Sequence, residues 1–516
     1  MKFSHHGASQ RGLTLSVLGG LCAAWLGTAC SAQSPDTIDG LQQSLRSGKS
    51  RAAQASHRSH RGHRGGHGHA GGSHGGGAPT PVTCDASQLI NQDALYQTIN
   101  ADLSSLDAED RLFTRYLSLA DLANACTGSL DADRAALSKL VNSLSISATL
   151  TQPLAVDAAE TLYRIDLRDY DWDRQLVLGG TRFDDAWEAV IAESPYALEF
   201  VGDDADDATS DTGTRVPVLL GSAFVEAATR APVYYALLDI PADLDDLLAN
   251  QLAIDVASAR ADGETVRAGF VAEGLEGETQ FLAERFDIEV RAGVAWQISE
   301  FGGDLFEDPL GNASGERELV FTLPNGLQGH VVADANGRVK AASDVVIDIE
   351  QGDLHARMAS SFLRLRAPGV VVQDEVRPFV LANPGNFNRA ERDAILAVYP
   401  AADDLASVLG ADRSNFFAAS LAGLGQDIDD APEPVSQTLA NFNADVDLAT
   451  AAGELMVTAE DLRENLALLD PALSVLDGGS IARSDFDQLY TGATCIFGVV
   501  LENQVDPAVC DLALAP

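Results

Sequence analysis

The chain has 516 residues, 46% hydrophobic and 21% charged, a balance that permits sizeable cores and about three units of ordinary domain size. Residues 1–81 hold 8 basic and 2 acidic side chains, leaving 26 basic against 74 acidic for residues 82–516. So acidic a body lacks the basic footprint that phosphate binding requires, which excludes nucleic acid as a partner and disfavours anionic substrates.

Lys2 and Arg11 precede an apolar run from Leu13 to Leu26, the arrangement of a secretion signal and too short to span a membrane. The run ends Leu26-Gly27-Thr28-Ala29-Cys30, which resembles the lipobox of bacterial lipoproteins. The resemblance implies that 1–30 is a lipoprotein signal peptide and that Cys30 becomes the lipidated first residue. Cleavage after Ala32, giving a secreted or periplasmic protein, is the alternative. Ser31 rather than Asp after the cysteine favours the outer membrane. No later segment is apolar for 18 residues, so a soluble body is expected.

Residues 31–82 are rich in Gly, Ser, Arg, His and Ala, a composition that cannot offset the entropy of ordering and predicts a disordered tether. Its His57, His60, His63, His67, His69 and His74 are candidate ligands for Zn, Cu or Ni. Interleaved Arg58, Arg61 and Arg64 would repel a cation, which favours a solvated, weakly basic spacer. With Cys22 removed and Cys30 lipidated, Cys84, Cys126, Cys495 and Cys510 remain. An even number in an oxidising compartment predicts two disulfides, with all three pairings open. No CxxC or CxxCH occurs, so neither a zinc ribbon nor covalent haem attachment is available.

The body opens with helical periodicity. Leu89, Tyr96, Ile99, Leu103 and Leu106 suggest a first helix capped by Asp85. Asp107 suggests the cap of a second, carrying Leu112, Tyr116 and Leu119, and Leu137, Leu140, Val141 and Leu144 mark a third. Thr161 to Leu167 alternates as a strand does. Asp203, Asp204, Asp206, Asp207 and Asp211 lack the glycine and terminal glutamate of a calcium loop and read as a solvated loop. Residues 288–349 carry the clearest β signal: Glu318 to Leu323, a Pro324-Asn325-Gly326 turn, Leu327 to Ala333, and a turn at Asn336-Gly337. His330 stands alone on a strand and is expected to be exposed or satisfied. Helices return after residue 350, with capping pairs Asn388/Glu391 and Thr458/Asp461. Asn443, Asp445, Asp447 and Glu454 imitate a calcium loop, but Leu448 replaces its glycine; helix surface is expected.

Several strings resemble a bacterial periplasmic family with a single C-terminal c-type cytochrome motif. They are Arg115-Tyr116-Leu117-Ser118-Leu119, the run Ala136 to Ser145, Arg164-Ile165-Asp166-Leu167-Arg168-Asp169-Tyr170, Pro232-Val233-Tyr234-Tyr235, and the run Phe321 to Gln328. Order and spacing match from about residue 110 to 490. Where the family has Ser-Cys-x-x-Cys-His, this chain has Ser361-Phe362-Leu363-Arg364-Leu365-Arg366. Phe362 and Leu365 stand at the thioether positions and Arg366 at the axial histidine, so covalent haem c cannot form there. The family's other histidines are expected where Phe286 and Asp308 stand. The apolar replacements would fill part of the space a porphyrin leaves, and any remnant cavity is expected beside them. His355 and Met358, three apart, suggest one shared helical face, an arrangement that cannot supply both axial ligands.

The expected fold is α+β: a helical then α/β region at 83–215, a β-rich region at 216–349, and a mainly helical cytochrome c-like domain at 350–516. The expected function is that of a non-enzymatic envelope lipoprotein without cofactor, which binds the membrane through its lipid and a protein partner in the envelope. Electron transfer by non-covalent haem and metal binding by the tether are the alternatives. A hydrolase built on Asp166, Asp169, Asp171 and Asp173 ranks below them. Four lysines against 30 arginines and the acidic surface suggest salt tolerance. Because salt screens self-repulsion, the melting temperature is expected to rise between low and high ionic strength; thermal unfolding in graded NaCl checks this.

Overall fold

The computed structural model describes residues 89–197, 211–351, 353–424 and 433–500. Residues 1–88, which include Cys30, the histidines from His57 to His74, Cys84 and Asp85, lie outside them, as do Asp203 to Asp207 and Cys510.

Helix α1, Gln92–Ser104, begins where the Asn91 side chain accepts from the Ala94 amide at 2.8 Å, so Asn91 is the cap. Leu95, Ile99 and Leu103 form its buried stripe. Asp107 precedes only four helical residues, Ala108–Arg111. The chain then enters strand β1, Thr114–Ser118, buried along its whole length. Tyr116 is therefore on a strand rather than a helix. Sheet neighbours on both sides bury it, and that pairing outweighs a helical spacing of only three apolar residues.

Helix α2, Ala120–Ala125, leads to α3, Asp131–Ser143. Leu137, Leu140 and Val141 are buried on α3, but so are Lys139, Asn142 and Ser143, which makes it a core helix enclosed on most sides. β2 (Leu154–Ala155), β3 (Leu162–Asp166), the hairpin β4 (Leu176–Leu178) and β5 (Thr181–Phe183), α4 (Ala186–Ala192) and β6 (Val218–Leu220) follow. The first sheet has the order β2-β3-β1-β6, with β1 antiparallel to β3 and parallel to β6. Helix α5, Gly221–Thr229, starts directly from β6. Gly221 is required there, since a Cβ would lie 2.8 Å from Leu119 Cδ2. Helix α6, Ala231–Leu237, comes next.

The second sheet is an antiparallel meander: β7 Val266–Gly274, β8 Gly277–Asp287, β9 Val294–Glu300, β10 Arg317–Thr322 and β11 Gln328–Ala333. It starts ahead of residue 288 because the long β7–β8 hairpin carries charges among its apolar residues, which masks its alternation. Ala268, Phe281, Ala283, Trp296, Ile298 and Val320 cluster on one face. Leu319, Phe321 and Val331 alternate to the other face and join the main core. β11 is a sheet edge, and α6 covers it: the Tyr234 and Tyr235 hydroxyls accept from the His330 and Val332 amides at 3.0 and 3.4 Å.

The hairpin β12 (Ala342–Ile347) and β13 (His355–Arg357) leads into α7 (Ser360–Leu365), α8 (Val376–Ala382), α9 (Arg389–Val398) and α10 (Ala402–Leu424). Then come α11 (Pro434–Phe442), β14 (Val446–Asp447), α12 (Leu448–Glu454), α13 (Ala459–Asn465), β15 (Ser480–Ile481) and α14 (Arg483–Val500). Asn388 and Glu391 make a full capping box on α9, and Thr458 Oγ1 accepts from the Asp461 amide at 2.9 Å on α13. By length and composition Arg389–Leu421 suffices to cross a membrane, which differs from the expectation of no such stretch; 22% of its apolar window is buried, and Leu405 and Phe416 are seated in the cores.

Elements far apart in sequence share one core. α11 packs on α3 and α5, and α12 packs on α2. The Lys139 ammonium on α3 meets Glu433, the cap of α11, at 2.8 Å with both side chains almost wholly buried. Thr438 Oγ1 donates to Asp133 at 2.7 Å one turn further on. The described residues belong to a single compact unit, Thr80–Pro516. Fold class is thus mixed α and β. Lys139→Ala leaves the Glu433 charge buried without its partner and is expected to cost about 3–5 kcal/mol, read by urea unfolding.

Candidate functional site

Phe362, Leu365 and Arg366, the positions singled out in the sequence, lie on helix α7 and at its C-terminal cap. Phe362 is fully buried in the main core, and half-buried Leu365 packs against that core. The Arg366 guanidinium grips Glu318 of β10 with two bonds, Nε to Oε1 at 2.6 Å and Nη2 to Oε2. None of the three lines either cavity described below; Phe362 and Leu365 are packed and Arg366 is held in a fork-shaped ion pair. Phe286 is likewise core, while Asp308 is exposed.

His330 is neither exposed nor fully satisfied: it is buried, and Nδ1 has no hydrogen-bond partner. Burial, with Arg366 and Lys139 close by, pushes its imidazole down to about 3, so the ring is neutral. His355 and Met358 share no helical face. His355 lies on β13 and Met358 just beyond it, because the β12–β13 pairing holds this segment extended. His355 Nδ1 lies 2.8 Å from the Ser343 carbonyl, a contact in which Nδ1–H donates.

The open space is on the other side of α7. A cleft of about 1070 Å³ runs between β12–β13, α7, the start of α6 and α11. His355, Met358, Ser360 and Arg364 line one wall; Arg230, Pro232, Leu439 and Asn443 are among the residues opposite. Leu354 and Ala359, at φ 63° and 52°, bracket β13 in backbone conformations that non-glycine residues rarely adopt. Each lining arginine already has an acidic partner. Arg364 bonds Asp348 and, at 3.0 Å, Glu350; Arg357 bonds Asp353 at 3.0 Å; Arg230 bonds Glu226 at 2.8 Å. Four carboxylates thus face three arginines.

A smaller cavity of about 320 Å³ lies between the second sheet and α10, walled by Trp296, Phe321 and Phe416. Its polar side is Asp412, which accepts from Arg285 Nε at 2.8 Å and Trp296 Nε1 at 3.0 Å.

Other sequence candidates separate. Asp166 is held by Arg168, which also reaches Asp110 at 2.8 Å, and neither it nor Asp169, Asp171 or Asp173 lines a cavity described above. Asn443 ends α11 and Asp447 caps α12. Glu454 is not helix surface: it is buried and joined to Arg483 by two 2.8 Å bonds, because α12 turns this face toward α14. Asp211 pairs with Arg111 at 2.8 Å. Cys126 is disulfide-bonded; Cys84 and Cys510, and the Cys495 side chain, lie outside the described ones. Among the described residues no group of three His, Cys, Asp or Glu converges as metal ligands.

No protein-family model, curated protein or solved structure matches the chain.

The cleft escaped sequence reasoning because α5, α6, the β12–β13 hairpin, α7 and α11 each supply only a few of its residues. Its sequence signals are His355 and Met358, three apart, and the charged run Asp348, Glu350, Asp353 and Arg357. Phe362→Ala is expected to cost about 3–5 kcal/mol through lost burial and the void left in the core, measured by chemical unfolding.

Proposed function

We propose that the protein is a non-enzymatic outer-membrane lipoprotein, a haem-less relative of proteins with a C-terminal c-type cytochrome motif, acting as a binding or scaffolding module. The observation that carries this reading is the filled attachment site, with Phe362 in the core and Arg366 committed to Glu318. The strings that carry the resemblance also pack on one another, which supports a shared framework. Asn325 Nδ2 donates to the Asn142 carbonyl at 2.8 Å, and Ser145 Oγ to the Tyr170 carbonyl at 3.1 Å. In this reading 350–516 is the cytochrome c-like part, Cys30 holds the protein to the membrane, and the partner is an envelope protein.

The cleft is the binding site in this proposal. Its arginines are already paired and its carboxylates outnumber them, so its ligand is uncharged or cationic. Polar groups lining it, such as His355 and Asn443, suit hydrogen bonding to such a ligand, with Pro232, Met358 and Leu439 giving apolar contact.

A second reading is electron transfer by haem bound without thioethers. Its support is that His355 and Met358 line the same cleft. An absorption spectrum from about 350 to 600 nm of protein purified from its native envelope fraction separates the two. A trace without a Soret band is expected; a Soret band that disappears in His355→Ala overturns the haem-less reading.

A further inference from the structure

Asp121, in the first turn of α2, is buried without a counter-ion. Oδ2 accepts from Ser222 Oγ on α5 at 2.7 Å, while Oδ1 has no hydrogen-bond partner. Among the described residues no lysine or arginine forms an ion pair with it.

The groups around it make ionisation harder. Glu454 approaches from α12 and Asp133 from α3, while the ionisation of the Tyr490 phenol on α14 is in turn disfavoured by Asp121. Arg483, the cation of this neighbourhood, is committed to Glu454 by two bonds and to the Tyr196 hydroxyl by a third at 2.7 Å. Asp133 is occupied by Thr438 of α11. The helices are pressed together at this point: a Cβ at Gly453 of α12 would lie 2.4 Å from the Asp121 carbonyl oxygen.

We propose that Asp121 is a protonation-dependent latch: neutral, it holds α2 against α5 and α12, and its ionisation loosens that contact. A neutral carboxyl needs no counter-ion and still accepts the Ser222 hydrogen bond at Oδ2. A carboxylate there is helped only by the Ser222 hydroxyl and the Leu122 amide, and it faces two further acids in a buried site.

Burial pushes the Asp121 carboxyl up to about 7; the Ser222 hydrogen bond opposes the rise, and Glu454 and Asp133 add to it. The closed state therefore binds a proton that the opened state releases between pH about 4 and about 7. Local stability falls as pH rises through that window and levels off above it.

Native-state amide hydrogen exchange on α2 and α12 tests this, with intrinsic exchange rates corrected for pH. From pH 5 to pH 8 the opening equilibrium is expected to grow about a hundredfold in the natural protein. Asp121→Asn, which is neutral at both, should lose most of that growth. An unchanged pH response in the variant, or none in the natural protein, overturns the proposal. Ser222→Ala provides a second test that keeps the carboxyl: removing a bond that favours the charged form should move the midpoint to higher pH, and an unmoved midpoint also overturns it.

Discussion

The buried contact between Lys139 and Glu433 is the constraint around which the remaining packing is arranged. Lys139 enters the core from α3, which is enclosed on most sides, so its ammonium has no route to water. Glu433 serves it while also accepting from the Val435 and Ser436 amides, at 3.2 and 2.6 Å, as the cap of α11. Burial pushes the Glu433 carboxyl up, but the adjacent Lys139 and these amides hold it below the usual range. One carboxylate thus neutralises a buried cation, starts a C-terminal helix and fixes that helix against an N-terminal one. Either charge alone would be costly in that position, so α3 and α11 are stable there only together.

With α11 fixed, the neighbouring arrangement follows. α7 lies between α11 and the second sheet, sends Phe362 inward and ties Arg366 to Glu318 of β10. Its other face, with Ser360 and Arg364, is left to border the cleft. Filling one side of α7 and opening the other are consequences of a single helix orientation. The same logic holds at the far end of the core, where α12 packs on α2 and brings Glu454 to Arg483.

Local signals were read well where they were local in cause. The Pro324-Asn325-Gly326 turn, the run along α3 and the Asn388/Glu391 box depend on residues adjacent in sequence, and each has the expected conformation. Tyr116 was misassigned because burial by strands from elsewhere decides its conformation. His330 was misplaced because α6, almost 100 residues earlier, covers the edge strand it occupies. Glu454 was assigned to the surface for the same reason: Arg483, its partner, lies on the last helix. Of the cleft, the sequence singles out His355 and Met358 but not the walls opposite them, because those come from distant segments around residues 230 and 439.

Sequence by itself determined the acid excess, the mixed α and β character and the lack of any thiol or histidine at residues 361–366, because charge, periodicity and the presence of thiols are properties of residues in order. Tertiary structure decided that Arg366 pairs with Glu318, that the carboxylates and arginines of the cleft meet, and that Asp121 has no counter-ion. Those outcomes depend on which side chains from distant segments are brought within a few ångströms and removed from water, and no local pattern encodes that proximity.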